Sequence, residues 1–403
     1  MTPHPQPPLI PEVGVLSLGS HRWGPHWMTP HHVMTRLSHY FNVVWLERAH
    51  HWRETPSVFA RRRDVAQRSS GSPAPFEVYV PEPWLPDFHH DGALKRVLFG
   101  RRLKNGWDRL RRRGCTKLVL YLWRPDFELA LKHGDHDLSI YHIDDEYSFQ
   151  QDPPPMDERE KRVIRAADHV LAISPGLMER KGGINPSMWF VPEGVEYDLY
   201  ATPVDEPDDI AGIPRPRIGY TGMLKRHLDW RMLRELAQRH PRWSFVLVGP
   251  ESSLSEEDRR ILREIAGWSN VHFLGGKDVK VLAAYPQHFD VCIMPYVVNG
   301  YTDNIYPLKL HEYLASGRPV VGAPIRSLLD FRDEILVPSS TQEWSEAIAR
   351  SLAPPFTTEE ARAARQAVAR RNDWSELIFT IADLIGKGLG DGVSTRLRKL
   401  ELR

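Results

Sequence analysis

Short apolar runs alternate along most of this chain with longer segments whose apolar positions recur every three or four residues. That alternation predicts parallel strands joined by crossover helices. In the first half the runs predict strands at 13–18, 43–46, 77–80, 117–122, 139–143, 169–173 and 188–191. A helix after the first strand starts at Thr29-Pro30, with threonine as cap and proline at the first helical position. Segments 158–167 and 176–181 also read as helical. The stretch Thr202-Pro-Val-Asp-Glu-Pro-Asp-Asp209 has no periodic apolar face and reads as a linker. The pattern then restarts, with strands at 217–220, 244–248, 271–274, 291–295, 319–322 and 335–337 and helices at 229–239, 255–266, 279–285 and 307–316. From 342 to about 386 the chain reads as mostly helical. The expectation is an α/β protein of two doubly wound domains facing a cleft, residues 1–205 and 206–373, followed by a last segment, 374–403. Such sheets bind ligands at the carboxyl ends of their strands.

Composition narrows the chemistry. A formal net charge of +1 gives no reason to expect nucleic acid as a partner. The two cysteines, Cys115 and Cys292, lie in or beside strand-like runs, which argues for a reducing compartment and against a cysteine zinc site. No apolar run reaches the length of a membrane span, and the opening residues lack a secretory leader's basic and apolar regions, so a cytoplasmic location is expected. Basic residues crowd 95–113, interleaved with Val97, Leu98, Leu103, Trp107 and Leu110. Such a helix either rests peripherally on anionic lipid at the inner face of the membrane or is a solvated cover for the first sheet.

The densest chemical signal is Asn304-Ile-Tyr-Pro-Leu-Lys-Leu-His-Glu-Tyr-Leu-Ala-Ser-Gly-Arg-Pro-Val-Val321. Pro307 suits the first helical position and Gly317 the left-handed position past the helix end. Lys309 and Glu312 share one face near the positive helix N-terminus. A cation, free amides and a carboxylate there suit a pyrophosphate and a ribose diol; the alternative is a surface ion pair on an amphipathic helix. A glycine turn follows the strand at 217–220: Gly222 lets backbone amides approach a phosphate, with Lys225 and Arg226 adding charge. Gly249 ends the next strand in the same way. In the first half Asp144-Asp145 follows a strand, as a divalent-cation pair or as an acidic turn lining the cleft, and His142 is placed to act in that cleft or packed in the core. The loop Ser20-His-Arg-Trp-Gly-Pro-His-Trp-Met-Thr29 offers Trp23 and Trp27 for stacking on a ligand, with Arg22 and His26 as hydrogen-bonding groups, or as closure over the core. Arg124 reaches the cleft or forms a buried pair. The pairs His31-His32, His50-His51 and His89-His90 lack zinc-site spacing.

In order, Ile218-Gly-Tyr-Thr-Gly222, Phe245-Val-Leu-Val-Gly-Pro250, Asn270-Val-His-Phe-Leu-Gly275, Asp290-Val-Cys-Ile-Met-Pro-Tyr296 and the 307–321 helix resemble the donor-nucleotide domain of GT-B glycosyltransferases. The likeness is to glycosyltransferase family 4 and its bacterial surface-polysaccharide members. Tyr141-His-Ile-Asp-Asp-Glu-Tyr147, Ala167-Asp-His-Val-Leu-Ala-Ile-Ser174 and Val191-Pro-Glu-Gly-Val195 extend it, so that it spans roughly 141–352. The resemblance implies two Rossmann-like domains, with the helix at 374–385 crossing back to the first. It implies a nucleotide-diphosphate sugar as donor substrate and a glycan or lipid-linked acceptor in cell-envelope synthesis. It implies retention of configuration and no metal or other cofactor. Family 4 enzymes carry two glutamates separated by seven residues. The second, which holds the ribose, falls on Glu312; the first, which touches the donor sugar, falls on Asn304, which carries no charge. Lys309, Lys225 and Arg226 become candidates for the diphosphate, Gly222, Gly249, Pro295, Tyr296 and Leu310 line the nucleotide, and His142, Asp144 and Asn304 are candidates for the chemistry. A sugar-nucleotide epimerase on the same fold, or a non-catalytic sugar-nucleotide binder, are the alternatives.

Overall fold

A computed structural model describes residues 7–19, 22–24, 28–55, 75–88, 92–133, 135–148, 150 and 154–401. The strand-like runs form two all-parallel sheets. β1 (Val13–Leu18), β2 (Asn42–Leu46), β3 (Glu77–Tyr79), β4 (Lys117–Leu122), β5 (Leu138–Ile143), β6 (His169–Ala172) and β7 (Met188–Phe190) are ordered β3-β2-β1-β4-β5-β6-β7. β8 (Arg217–Thr221), β9 (Ser244–Val248), β10 (Val271–Gly275), β11 (Val291–Met294) and β12 (Val320–Gly322) are ordered β10-β9-β8-β11-β12. All six residues of β1 are buried, as are all five of β8 and β9, because helices cover both faces of each sheet. In each sheet the order reverses beside its first strand, between β1 and β4 and between β8 and β11. Ligands of doubly wound sheets lie at those switch points.

The 335–337 run is not a strand: it contributes one isolated bridge, Leu336 to Val321. The helix expected from Pro307 begins at Lys309 and runs to Ala315, preceded by a single turn in which Leu310 N–H donates to the Pro307 carbonyl. Gly317, at φ +73°, ends it in the expected left-handed conformation. The Pro- and Asp-rich stretch is not a free tether. Glu206 accepts from Arg217 at 2.5 Å, and the Val204 amide donates to Gln287. The stretch is thereby pinned to the second body before a short helix, Asp208–Ala211.

Helix Trp374–Leu389 packs on the first sheet, although its sequence follows the second. Trp374, Ile378, Ile381, Leu384 and Ile385 are buried in one cluster with Val13, Val15, Leu37 and Val43. Each such side chain contributes about 1.5–3 kcal/mol relative to exposure. Asp373 caps this helix through Ser375 and also accepts from the Tyr197 amide, 3.0 Å away. Beyond Gly390 a further helix, Asp391–Glu401, closes the chain.

Candidate functional site

The loops at the carboxyl ends of the two sheets touch. After β5, Asp145 accepts a long 3.4 Å bond from the Tyr301 hydroxyl, which follows β11. After β6, Ser174 caps helix Pro175–Lys181 and donates to the Asn304 carbonyl at 2.5 Å. Arg326, after β12, pairs with Glu179 at 2.7 Å. Both switch points therefore open onto one cleft.

On the second-sheet side, β8 ends at Thr221, whose amide donates to the Tyr313 hydroxyl at 2.8 Å, tying the turn to helix Lys309–Ala315. Gly222 follows at φ +126°. A Cβ there would stand 2.4 Å from Cε and 2.6 Å from Nζ of Lys309, so only glycine lets the ammonium lie against the turn. Gly249, which ends β9, packs its Cα against the Gly222 carbonyl, leaving 2.0 Å for any Cβ. Lys225 lies close enough to Lys309 for their like charges to act on each other, and burial together with that repulsion depresses the Lys225 ammonium; Asp145 opposes the shift from across the cleft. Arg226 is exposed on the same turn. At the end of β11, the Pro295 carbonyl accepts from the Asp229 amide at 2.7 Å, and Tyr296 is buried near both Lys309 and Glu312. Leu310 is fully buried in the core of the second body, so its side chain fixes the helix and has no access to a ligand. Glu312 is half-buried, with Lys309 and Tyr200 beside it; burial raises its carboxyl, and Lys309 and Tyr200 counter the rise.

The opposite wall is acidic. Asp144 accepts from the Tyr147 hydroxyl at 2.8 Å, while Arg124 lies over the Tyr147 ring at 4.2 Å. Burial lifts Asp144 to about 7 and Asp145 to about 6. The turn is anchored from below by Glu146, which meets the fully buried Lys181 at 3.5 Å and Arg180 at 3.4 Å. His142 is inside the first sheet: Tyr121 hydrogen-bonds its Nδ1 at 2.8 Å and Trp123 stacks on its ring. Burial drops it to about 3, so the imidazole is neutral, and its Nε2 has no hydrogen-bond partner among the described residues. Asn304 is buried, its Nδ2 donating to the Gly300 carbonyl at 2.6 Å, which commits the amide nitrogen to its own loop. Trp23 closes over the core rather than facing outward: its ring meets Trp45, Phe76 and His31, and its amide donates to Glu47 at 2.7 Å. His26, Trp27 and the His89-His90 pair fall outside the described residues. Among the described residues no group of three or more His, Cys, Asp or Glu side chains is gathered as a metal site would require.

Sequence reasoning missed two residues of this cleft. Glu193 lies in the Val191-Pro-Glu-Gly-Val195 string and is buried after β7. Its Oε1 accepts from Thr29 at 2.5 Å, its Oε2 has no partner among the described residues, and the charges of Asp144, Asp145 and Glu312 all act on it. Burial, reinforced by those carboxylates, lifts it to about 8. The signal available was a carboxylate between proline and glycine at a strand end. Tyr200 left no signal, because only the tertiary fold brings it to Glu312.

The shifts fix the sign of a pH effect. A carboxyl raised in the folded state contributes stability that is fully present below its unfolded pKa and lost as pH rises through its folded pKa. For Glu193 the window runs from about 4.5 to about 8. Glu193→Gln is therefore expected to melt higher than the wild type at pH 9 and to lose that advantage by pH 5, as thermal melts at the two pH values would show. An advantage independent of pH would mean that Glu193 is not held protonated.

Comparisons with known proteins bear on the family of the second body and on the fold. Residues 215–353 match the family model described as glycosyl transferases group 1. TuaH of Bacillus subtilis (strain 168), provisionally named a teichuronic acid biosynthesis glycosyltransferase, is 33% identical over 174 residues. That alignment covers 42% of this chain and 43% of TuaH. The solved structure of Anabaena HepE in complex with UDP and glucose superposes with a TM-score of 0.65 at 16% identity, covering 93% of this chain and 99% of that one. A glycosyltransferase from Rickettsia africae gives 0.67 at 10% identity, covering 94% and 99%.

Proposed function

We propose that this chain, which has the fold of the GT-B glycosyltransferases and matches the group 1 glycosyl transferase model over residues 215–353, moves a sugar from a nucleotide-diphosphate donor to a hydroxyl of a glycan or lipid-linked acceptor. The observation that carries the reading is the convergence of the Gly222 turn, Lys309 and Glu312 at the β8–β11 switch point. The turn and Lys309 suit a diphosphate, and Glu312 suits a ribose diol. As the bond from the anomeric carbon to the diphosphate breaks, negative charge builds on the leaving oxygens. Lys225 and Lys309 are the groups that would stabilise it, without a metal or other cofactor. On this reading residues 206–373 hold the donor, and the acidic wall of residues 1–205, with Asp144 and Asp145, receives the acceptor hydroxyl. Transfer with retention of configuration is part of the proposal.

The test is release of nucleoside diphosphate from a panel of nucleotide-diphosphate hexoses in EDTA, with and without a lipid-linked glycan acceptor, and the anomeric configuration of the product by NMR. Acceptor-dependent, EDTA-insensitive release with retention supports the proposal. Interconversion of sugar epimers without release would point to an epimerase.

A cytoplasmic enzyme acting on a lipid-linked acceptor would work at the membrane surface. No described helix is long and apolar enough to cross a membrane. Helix Ala93–Arg112 nevertheless exposes Leu94 and Val97, 58% and 67% accessible, on a surface with Arg96, Arg101 and Lys104. Apolar residues ringed by cations suit anionic headgroups. Replacing Leu94 and Val97 with serine is expected to reduce co-sedimentation with phosphatidylglycerol vesicles several-fold; unchanged binding would remove this helix from the contact.

A further inference from the structure

The second body has another built pocket, at the opposite edge of its sheet. Asp290 precedes β11 and Pro319 precedes β12, so this pocket lies at the amino ends of the strands, away from the Gly222 turn. It encloses about 180 Å³, and Gly317, Arg318, Thr357, Arg362 and Arg365 line it with Asp290. Three guanidinium groups thus converge on one cavity with little to neutralise them. Asp290 is already taken, its carboxylate meeting Arg215 at 2.5 Å and the Arg217 amide at 2.7 Å. Glu359 stands 3.9 Å from Arg362 and is largely in solvent.

Two of the three arginines also hold the backbone. Arg365, only 4% accessible, donates to the Gly317 carbonyl at 2.8 and 3.0 Å and to the Phe356 carbonyl at 2.9 Å. Arg318 donates to the Gln287 carbonyl. These bonds fix two cations in place, whereas Arg362, packed by its Cγ against Gly317, holds no carbonyl among the described residues. Burial depresses Arg318 and brings Arg365 down to about 10, with the neighbouring guanidinium groups adding to both falls. A cavity rimmed by guanidinium groups suits a tetrahedral oxyanion, and Arg362, whose fork holds no carbonyl among the described residues, is the one able to bind it in bidentate fashion.

We propose that the Arg318–Arg362–Arg365 pocket is a second anion site, distinct from the donor cleft, that takes a phosphate group. The phosphate is either free or borne by a lipid headgroup. The site adjoins the C-terminal end of the helix whose first turn carries Lys309 and Glu312, but its occupancy does not depend on the donor-site reading.

The probes are inorganic phosphate at constant ionic strength, with chloride as reference, and vesicles of phosphatidic acid against phosphatidylcholine. Arg362→Gln is the informative variant, because it leaves the carbonyl-holding arginines intact; Lys309→Ala serves as the donor-site control. Phosphate is expected to raise the melting temperature saturably, by about 2–4 °C at concentrations far above Kd, in the wild type and in Lys309→Ala but not in Arg362→Gln. Arg362-dependent binding to phosphatidic acid vesicles would support the site and assign the phosphate to a lipid. A saturable shift with free phosphate and no vesicle binding would support it and assign a soluble ligand. A shift unchanged in Arg362→Gln, or no response to either probe, would overturn the proposal.

Discussion

Glu312→Ala is expected to lose nucleoside diphosphate affinity by about 100-fold or more while remaining folded. A carboxylate that accepts both hydroxyls of a ribose makes two charge-assisted bonds, each worth about 1.5–3 kcal/mol, and 1.4 kcal/mol is a factor of ten in Kd. The fold should tolerate the change because burial already disfavours the charge of Glu312. What the folded state loses is the interaction of Glu312 with its neighbours Tyr200 and Lys309. Calorimetry with a nucleoside diphosphate, beside a thermal melt of each protein, separates the two effects. Glu312→Gln should fall between wild type and alanine, since its amide retains one acceptor oxygen.

The second large effect is expected at Gly176. This residue sits in the first turn of helix Pro175–Lys181, and a Cβ on it would lie 2.1 Å from the Asp303 carbonyl oxygen and 3.2 Å from the Asn304 Cα. The clash would be with the backbone of the facing body, which a rotamer change cannot relieve. Gly176→Val should therefore hold the two bodies apart at the point where Ser174 donates to the Asn304 carbonyl. Closure of such a cleft aligns donor and acceptor and excludes water, so turnover should drop by about 10- to 100-fold. Nucleotide affinity should change much less, because Gly222, Lys225, Lys309 and Glu312 all belong to the second body. Turnover by stopped assay and affinity by calorimetry, on the same preparation, test the split. Wild-type turnover in Gly176→Val would mean that this contact is not part of the working arrangement.

Much of the architecture was legible because parallel strands covered on both faces must be continuously apolar. The runs at 13–18, 117–122 and 244–248 coincide with β1, β4 and β9 for that reason. The run at 335–337 is equally apolar but makes only one bridge to β12, a three-residue strand. Pairing depends on a neighbour's reach, which the run itself does not encode. Pro307 and Gly317 marked the ends of helix Lys309–Ala315 through backbone geometry alone, to within two residues at the start.

The second-sheet side of the candidate site was legible for a related reason: Lys309 and Glu312 lie three apart on one short helix, and Gly222 follows a strand directly. Local spacing carries such information. The burial of His142 between Tyr121 and Trp123 was not local, since its neighbours come from the adjacent strand and the residues just after it. Nor was the placing of Glu193 against Thr29, 164 residues away in sequence. Trp23 illustrates the same limit: its sequence neighbours left a sugar platform and a place over the core equally open, and its neighbours in space make it a core residue.

The most direct measurement is a crystal structure with a nucleoside diphosphate bound, grown in EDTA. The account predicts the diphosphate against the Gly222 turn within reach of Lys225 and Lys309, and the ribose hydroxyls on Glu312. A diphosphate found instead on Asp144 and Asp145, or bound only when manganese is supplied, would contradict it.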